Sequence, residues 1–186
     1  MMKAAAIMKK RSKELATYET LDTGKPFSES YEVDMPYSVR AMEYHARAAC
    51  NLMGETINIP GHFAFDYVTY EPYGVVRSIS PWNFPLHLFT RSVCPAIAVG
   101  NTVVAKASSL TPSTGQIMGE IFLEAGFPAG VVNIVSGPGS IVGEAIMAHP
   151  SVRLVSFTGS EEVGRKLLMQ SAKPPTIKKL ILELGG

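Results

Sequence analysis

From Gly74 onward, short segments rich in valine and isoleucine alternate regularly with segments of helical periodicity. The predicted strands are 74–80, 101–105, 131–135, 152–157 and 178–184, and the predicted helices between them are 86–98, 111–125, 140–149 and 160–171. The second of these helices begins at a capping threonine followed by proline and stops at a Gly-Phe-Pro sequence. Such alternation with short loops predicts a parallel, doubly wound α/β sheet, whose ligands bind beyond the carboxyl ends of its strands.

The residues before Gly74 have a different pattern. One amphipathic helix is predicted over the first twenty-odd residues, ending before Asp22, and a second over Asp34 to Leu52. Phe63 to Tyr70 alternates loosely and predicts a strand on an arm or an edge, outside the main sheet. The predicted organisation is therefore an N-terminal helical part (1–60), an arm strand (61–73) and a βα-repeat core (74–186).

The composition favours a globular protein that recognises its partners locally. The chain has 186 residues, 46% of them apolar, and its 17 basic and 16 acidic residues give a net charge of +1. This balance argues against an electrostatic nucleic-acid or membrane surface, and no window has the roughly 18 to 20 apolar residues of a membrane helix. Cys50 and Cys94 are too few and too far apart for a disulfide framework or a zinc site, which favours a reducing, cytoplasmic setting.

Glu183 lies inside the last apolar run, which reads as a strand buried on both faces. A carboxylate in that position is desolvated, and desolvation raises the pKa of a carboxyl group toward the range useful for general acid–base catalysis. The alternative is a strand-end glutamate that contacts water or a lysine.

Two other predicted strands are followed by residues with chemical potential. Asn83 lies between two prolines in the loop after the first strand, where its amide is able to donate to an oxyanion or merely to form a turn. Lys106 ends the second strand, where it is able to meet a ribose or phosphate group or to extend into water.

The junction after the fourth strand, Phe157 to Lys166, joins a strand to a helix through glycine, a geometry that presents backbone N–H groups to a phosphate. Its spacing is GxxxxG and not the GxGxxG dinucleotide fingerprint, and Glu161 and Glu162 are expected to repel a phosphate. Arg165 and Lys166 stand where a P-loop needs Lys and Ser/Thr, which excludes an ATPase of that class.

Five linked segments together resemble the aldehyde dehydrogenase superfamily: SPWNFPL (80–86), GNTVVAK (100–106), EAGFPAGVVN (124–133), FTGSEEVG (157–164) and LELGG (182–186). The resemblance extends to LDTGKP (21–26) and GETI (54–57), so it covers essentially the whole chain. It implies a Rossmann-like cofactor domain and the oxidation of an aldehyde to a carboxylic acid, with NAD or NADP, through a cysteine thiohemiacetal.

The resemblance also implies roles for individual residues. Asn83 corresponds to the oxyanion donor and Glu183 to the general base. The implied cofactor-binding residues are Ser80, Pro81, Trp82, Lys106, Ser109, Gly159, Ser160 and Gly164. The segment Phe63 to Tyr70 corresponds to the arm that pairs subunits, so a homodimer or tetramer is expected of the full-length enzyme. Phe84, His87, Leu88 and Arg91 are expected near the substrate, where a histidine and an arginine favour a polar or acidic aldehyde.

Two features depart from the family pattern. Ser109 stands where a ribose-binding glutamate is frequent, and without that carboxylate NADP becomes permissible. The family's nucleophilic cysteine lies beyond the Leu-Gly-Gly sequence with which this chain ends, so the expectation is a fragment that is inactive alone. A non-catalytic module that binds a dinucleotide or pairs with a full-length subunit is the alternative, and a phosphorylating reductase of the same superfamily also stays open.

Overall fold

The computed structural model describes residues 1–61, 63–173 and 175–185 of the chain. His62 of the predicted arm, Pro174 and Gly186 of the terminal motif lie outside the described residues. The α-helices are α1 (Met2–Lys10), α2 (Ser12–Thr23), α3 (Phe27–Glu29), α4 (Met35–Ala48), α5 (Pro85–Ala98), α6 (Ser113–Glu124), α7 (Glu144–Ala148) and α8 (Glu161–Ser171). π-Helical turns precede α4 (Ser30–Asp34) and α7 (Gly139–Gly143), and a 3₁₀ turn (Ala49–Asn51) follows α4.

Five parallel strands form the main sheet, as the sequence predicted. They are β3 (Val75–Ile79), β4 (Thr102–Lys106), β5 (Val132–Val135), β6 (Val152–Thr158) and β7 (Lys179–Glu183), in the spatial order β5-β4-β3-β6-β7. The chain therefore moves outward from β3 to β5 and then crosses back to β6, on the other side of β3. This reversal between β3 and β6 is the switch point at which doubly wound sheets bind ligands.

A hydrophobic core lies on each face of the sheet. On one face, α5 and α6 pack on β3 to β5 and are covered by α1, α2 and α4; this core includes Leu15, Met42, Phe89 and Met118. On the other face, a smaller core around Val155, Phe157 and Leu167 joins β6 and β7 to α7 and α8. The side chains of β3 and β6, the two inner strands at the reversal, alternate between the two cores, as expected of strands covered on both sides.

The N-terminal helices differ from the prediction in their boundaries. The expected single helix is two helices that meet at Arg11, whose guanidinium pairs with Glu14 and reaches Glu120 of α6. The second predicted helix begins earlier than Asp34, because the helical turns from Phe27 lead into it. These boundaries depend on contacts between distant segments, which a local pattern does not contain.

The N-terminus of α6 is another place where a distant residue replaces the local signal. Thr111 was the predicted cap, but Asp22 of α2 accepts hydrogen bonds from both the N–H and the hydroxyl of Ser113, at 2.8 and 2.9 Å. A carboxylate at this end of a helix is favourable because the free N–H groups carry partial positive charge. The contact fixes α2 against the sheet's helical layer.

Residues 54 to 70 contain an antiparallel pair of strands separate from the main sheet. Strands β1 (Glu55–Asn58) and β2 (Phe65–Val68) pair with each other, and every residue of both strands is exposed. The prediction of a strand outside the main sheet is confirmed, although β2 is shorter than the predicted segment.

Strand β7 corrects the prediction of a terminal strand buried on both faces. It lies at the edge of the sheet, where Leu180 and Leu182 pack toward α8 and Ile181 is 48% exposed on the opposite face. An edge strand has a neighbour on one side only, and within the described residues no helix covers its second face as α8 covers the first. Across the same residues, no helix has the length and apolar character needed to cross a membrane.

Candidate functional site

The carboxyl ends of four strands are aligned at one edge of the sheet. Ile79 of β3 is in register with Lys106 of β4 and with Phe157 of β6, and Thr158 of β6 is in register with Glu183 of β7. The residues that follow these strands therefore share one edge, as the predicted topology required.

A crevice of about 620 Å³ opens at this edge, on the face of the sheet that carries α7 and α8. Its size lies in the range of small-molecule sites in proteins. Seven of the eight predicted cofactor residues line it: Ser80, Pro81, Trp82, Lys106, Ser109, Gly159 and Ser160. The crevice is lined also by Arg77, Glu144 and Lys166.

The loop after β3 contributes one wall of the crevice. The backbone N–H of Ser80 donates to the carbonyl of Lys106 at 3.2 Å, which ties the loop to β4. The hydroxyl oxygen of Ser80 is buried and has no hydrogen-bond partner among the described residues, while Trp82 is 57% exposed. The wall therefore combines an apolar ring with a polar atom available to a ligand.

Lys106 does not extend into water, the commoner arrangement at a strand end. Its side chain is buried at the crevice, where Nζ donates to the carbonyl of Ala107 at 3.1 Å. Burial, together with the charge of Arg77, lowers the pKa of the Lys106 ammonium. Ser109 lies nearby in the same lining, and its hydroxyl donates to the carbonyl of Gly137 at 2.9 Å.

Gly159 and Ser160 join β6 to α8 at the opposite wall. A Cβ on Gly159 would lie 2.5 Å from the ring of Phe157, so a larger residue in this turn would require the ring to move. Ser160 is the N-cap of α8, and its hydroxyl accepts from the N–H of Val163. The first turn of α8 thus faces the crevice with the positive end of its dipole.

The two glutamates of this turn are both paired. Glu161 contacts Arg165 and Glu162 contacts Lys166, one helical turn further along α8. The predicted repulsion of a phosphate is therefore weakened, because each carboxylate has its own cation.

Gly164 is the predicted cofactor residue that the structure places elsewhere. It is buried against Leu184, whose Cδ2 would lie 2.5 Å from a Cβ at this position. Because Gly164 has no side chain, α8 packs closely against Leu184 at the end of β7, so the role of this glycine is in packing.

Glu183 lies on the other face of the sheet from the crevice's helices. It was expected to be desolvated, but its side chain is 53% exposed and forms an ion pair with Arg91 of α5 at 2.8 Å. Both residues line a second pocket, of about 330 Å³, together with Leu88 and Ile181. The expectation of burial was wrong because β7 is an edge strand.

Asn83 is exposed in the bend between β3 and α5. Among the described residues, no hydrogen bond or ion pair joins it to Glu183, which instead contacts Arg91. Of the residues expected near the substrate, Leu88 and Arg91 lie beside Glu183, whereas His87 packs edge-on against Tyr37.

A buried charge cluster contacts the start of α5, next to this bend. Lys25 forms an ion pair with Asp34 at 2.6 Å, lies 3.9 Å from Glu19 and sits over the ring of Phe84 at 4.2 Å. Glu19 accepts a hydrogen bond from the N–H of Leu86, at the start of α5. Burial raises the pKa of Glu19 to about 7; the Asp34 carboxylate adds to this effect and Lys25 opposes it. The cluster comprises Glu19, Lys25 and Asp34, and it contacts Phe84 and Leu86, which directly follow the Asn83 bend.

Neither cysteine lines the crevice or the pocket beside Glu183. Cys94 is fully buried in α5, where its thiol contacts the sulfur of Met42 at 3.6 Å, and burial raises its pKa to about 12. Cys50 is exposed in the 3₁₀ turn after α4. A thiol with so high a pKa is not ionised at neutral pH and is a poor nucleophile.

Arg77 is the lining residue that sequence reasoning missed. It occupies the middle of β3, within an otherwise apolar run. The signal that drew attention to Glu183, a charged residue inside an apolar strand, was equally present at Arg77.

Comparison with known proteins bears on this arrangement. The model of the aldehyde dehydrogenase family matches residues 1–186. The chain belongs to the aldehyde dehydrogenase family. It is 43% identical over 186 residues to an aldehyde dehydrogenase of Enchytraeus buchholzi and 43% identical over 184 residues to retinal dehydrogenase 2 of Gallus gallus.

Solved structures of aldehyde dehydrogenases share the fold. The indole-3-acetaldehyde dehydrogenase AldA of P. syringae, in complex with NAD⁺ and IAA, superposes with a TM-score of 0.96 at 40% identity and covers the whole chain. The KauB aldehyde dehydrogenase of Pseudomonas aeruginosa gives the same score at 36% identity. The chain spans 37% of the length of each of these two structures, and 37% and 35% of the two curated relatives.

Proposed function

We propose that this chain forms the dinucleotide-binding part of an NAD(P)-dependent aldehyde dehydrogenase, which oxidises an aldehyde to a carboxylic acid. The observation that carries the proposal is the crevice at the switch point of the sheet, lined by seven of the residues that the family motifs implied. Membership of the family and the complex of a similar protein with NAD⁺ support it.

The crevice fits a dinucleotide in its polar groups and in its shape. Among the described residues, the buried hydroxyl of Ser80 has no hydrogen-bond partner, and Gly159 lets the backbone turn from β6 into α8 beside the ring of Phe157. The N-terminus of α8 suits the pyrophosphate, and Lys106 and Ser109 suit the adenosine ribose. Pro81 and Trp82 then pack against the nicotinamide ring. When bound, the nicotinamide group supplies a hydride acceptor.

Asn83 is the proposed oxyanion donor. Its exposed amide is free to donate from the N–H₂ group to an oxygen that gains negative charge during acyl transfer. The buried cluster of Glu19, Lys25 and Asp34 keeps the bend in place, so the amide does not have to be ordered at the moment of reaction.

Glu183 is the proposed general base, with Arg91 as its positioning residue. The ion pair holds the carboxylate at the strand edge, and release of one carboxylate oxygen lets it accept a proton from water. In an enzyme that supplies the thiolate, Asn83→Ala and Glu183→Gln are each expected to lower kcat about 100-fold or more.

The proposed nucleophile is a cysteine outside residues 1–186. Cys94 is buried with a raised pKa, and Cys50 lies in a turn far along the chain from the strand ends. The purified chain is therefore expected to bind a dinucleotide without producing NAD(P)H from aldehydes. Turnover by the chain alone, abolished by Cys50→Ser, would contradict this assignment. The transcript beyond the codon of Gly186 separates a longer enzyme from a genuine non-catalytic module.

Trp82 provides the test of dinucleotide binding, because it is the only tryptophan and it lines the crevice. Titration of the purified chain with NAD⁺ and NADP⁺ is expected to quench its fluorescence in a saturable way, with matching heat in calorimetry. Trp82→Phe is the control: it removes the optical signal, whereas calorimetry of the variant still detects binding. A folded chain that shows neither signal at millimolar nucleotide would refute the proposal.

The exposed β1–β2 pair favours a role in pairing subunits. Ile57, Phe65 and Tyr67 present apolar side chains to solvent on strands with free edges. We propose that this pair joins copies of the full-length enzyme into a dimer or tetramer. A reducing, cytoplasmic setting is proposed on the two free thiols.

A further inference from the structure

Two buried carboxyl groups share one cation beside the bend between β3 and α5. The side chains of Glu19 and Asp34 are 1% and 3% exposed, and Lys25, whose side chain is 11% exposed, contacts both. Buried charges are costly to the folded protein unless each is paired. With all three groups ionised, the cluster would hold one negative charge in excess. Its geometry therefore favours a carboxyl group that keeps a proton near neutral pH.

The distances identify Glu19 as the protonated member. Nζ of Lys25 lies 2.6 Å from Asp34 but 3.9 Å from Glu19. The N–H of Leu86 lies 3.3 and 3.5 Å from the two oxygens of Glu19, which is longer than the usual N–H···O distance of about 2.9–3.0 Å. Both contacts are typical of a neutral carboxyl group. Burial, to which the charge of Asp34 adds, raises the pKa of Glu19 to about 7, in agreement with this assignment.

Donors around Glu19 are poised to contact its ionised form. The hydroxyl of Thr114, on α6, acts on Glu19 and lowers its pKa, yet it is buried without a hydrogen-bond partner among the described residues. The Leu86 N–H lies in the first turn of α5, where the helix dipole favours a negative charge. Together with the Lys25 ammonium, these groups face Glu19 from each side. An ionised carboxylate attracts all of them more strongly than a neutral carboxyl does.

Other titratable groups near the bend are separable from Glu19. His87 lies on α5, and burial holds its pKa below the usual value; Asp34 opposes this effect and Arg91 adds to it. Burial and a neighbouring arginine lower the pKa of Lys106 at the crevice. Glu19 is not among the groups that shift either pKa, so a variant at Glu19 isolates its own contribution.

We propose that Glu19 is a proton-linked positioning residue: loss of its proton draws the first turn of α5 inward and tightens the preceding bend, which carries Trp82 and Asn83. Lys25 moves with it, and because its ammonium sits over the ring of Phe84 at 4.2 Å, the movement reaches the residue next to Asn83. Ionisation is costly to the whole fold, since the carboxylate is desolvated, and these shortened contacts offset part of that cost.

A tighter bend matters to the crevice because Trp82 forms part of its wall. A wall that is ordered before the ligand arrives loses less conformational freedom on binding, so the affinity for a dinucleotide rises. This link to affinity rests on the proposed function, whereas the movement of the bend does not.

The fluorescence of Trp82, the only tryptophan of the chain, reports the bend without any nucleotide. In the wild-type chain, its emission is expected to change between about pH 6 and 8.5, with a midpoint near 7. Glu19→Gln has a neutral side chain of the same shape, so its emission is expected to stay constant. Glu14→Gln is the matched control on the same helix: Glu14 pairs with Arg11 on the surface, and the wild-type transition is expected to persist.

Calorimetry with NAD⁺ measures the effect on the crevice, because the phosphates of NAD⁺ do not titrate in this range. The wild-type affinity is expected to rise about fivefold from the lower to the higher pH, the effect of one hydrogen bond that becomes charge-assisted. Glu19→Gln is expected to bind NAD⁺ at every pH as the wild type does at the lowest.

Asp34→Asn keeps the test decisive if Glu19→Gln does not show the circular dichroism of the folded chain. It removes the carboxylate whose charge raises the pKa of Glu19, and it leaves Lys25 to pair with Glu19 alone. The Trp82 midpoint and the rise in NAD⁺ affinity are both expected to move below about pH 6. A cluster that serves stability alone would not move them, so an unchanged midpoint in folded Asp34→Asn would contradict the proposal.

The outcomes separate this inference from the proposed function. If the Trp82 transition occurs but no nucleotide binds, the proposed function fails and the role of Glu19 in the bend stands. If NAD⁺ binds with the same affinity at every pH, or if folded Glu19→Gln keeps the wild-type profile, a dinucleotide site stands and the positioning role of Glu19 is refuted. A wild-type chain without the Trp82 transition refutes it as well.

Discussion

Glu19 and Arg77 are both buried charged residues, and they lie on opposite sides of the same sheet. Glu19 belongs to a cluster that contains its own cation, Lys25, and a backbone donor, Leu86 N–H. In the described part of the chain, Arg77 forms no ion pair, its Nε and Nη1 atoms have no hydrogen-bond partner, and its charge acts on Lys106, which has the same sign. A charge that is compensated within the chain serves architecture, whereas one left uncompensated beside a crevice indicates a ligand.

Removal of Lys25 is expected to have the largest effect on stability. Lys25→Met leaves Glu19 and Asp34 buried without a cation, and breaking such a buried pair costs about 3–5 kcal/mol. The free energy of unfolding in urea measures the loss. Lys9→Met is the matched control, since Lys9 pairs with Glu43 at the surface, and little change is expected. Equal losses in the two variants would mean that the cluster is not an architectural element.

The same cluster predicts how stability depends on pH. Because burial raises the pKa of Glu19 from 4.5 to about 7, the folded protein holds a proton that the unfolded chain releases between these values. The contribution is complete below pH 4.5 and is lost as the pH rises through 7, on the order of 3 kcal/mol in all. Urea unfolding across pH 4.5–8 is expected to show this decline in the wild type.

Glu19→Gln is the control for the pH profile. It removes the titrating group, so the difference in stability between wild type and variant is expected to change across this window and to level off above it. Parallel profiles for the two proteins would show that Glu19 does not titrate there.

Two glycines that line the crevice test whether its wall is rigid in the ligand-free chain. Gly159→Ala forces a Cβ against the ring of Phe157, and such overpacking costs about 1–3 kcal/mol. Gly139→Ala, on the same lining, meets no atom within 4 Å and is expected to be tolerated. Thermal unfolding of both variants measures the difference. If Gly159→Ala is as stable as Gly139→Ala, the crevice wall is more adaptable than the structure indicates.

Arg77→Met is expected to have the smallest effect, and an effect of the opposite sign. Replacing an uncompensated buried charge with an apolar side chain of similar length is expected to stabilise the ligand-free chain, by about 1 kcal/mol. Chemical unfolding without nucleotide checks the sign. If Arg77→Met lowered the free energy of unfolding as much as Lys25→Met does, Arg77 would be an architectural charge like Glu19.

The sequence predicted those parts of the molecule that follow from local pattern. The alternation after Gly74 was sufficient for the parallel sheet, and the strand ends identified Lys106 and Gly159. The break at Arg11 and the capping of α6 by Asp22 were not predictable, because both depend on residues about 90 or more positions apart in the chain. The exposure of Glu183 was mispredicted because the sequence of one strand does not determine the order of strands in the sheet. Which strand lies at the edge depends on that order.

A hydrogen bond of 3.0 Å from the N–H of Gly159 to the carbonyl of Glu183 fixes the register of β7 against β6. Successive residues of a strand point to opposite faces, so a slip of β7 by one position would turn a leucine to the open face and Glu183 toward α8. Edge strands resist such slips poorly because they have one neighbour. The loop proposed to receive the cofactor therefore also determines which side chains β7 presents on each face. A substitution that displaces this loop is expected to disturb the register of β7 and the position of Glu183 as well.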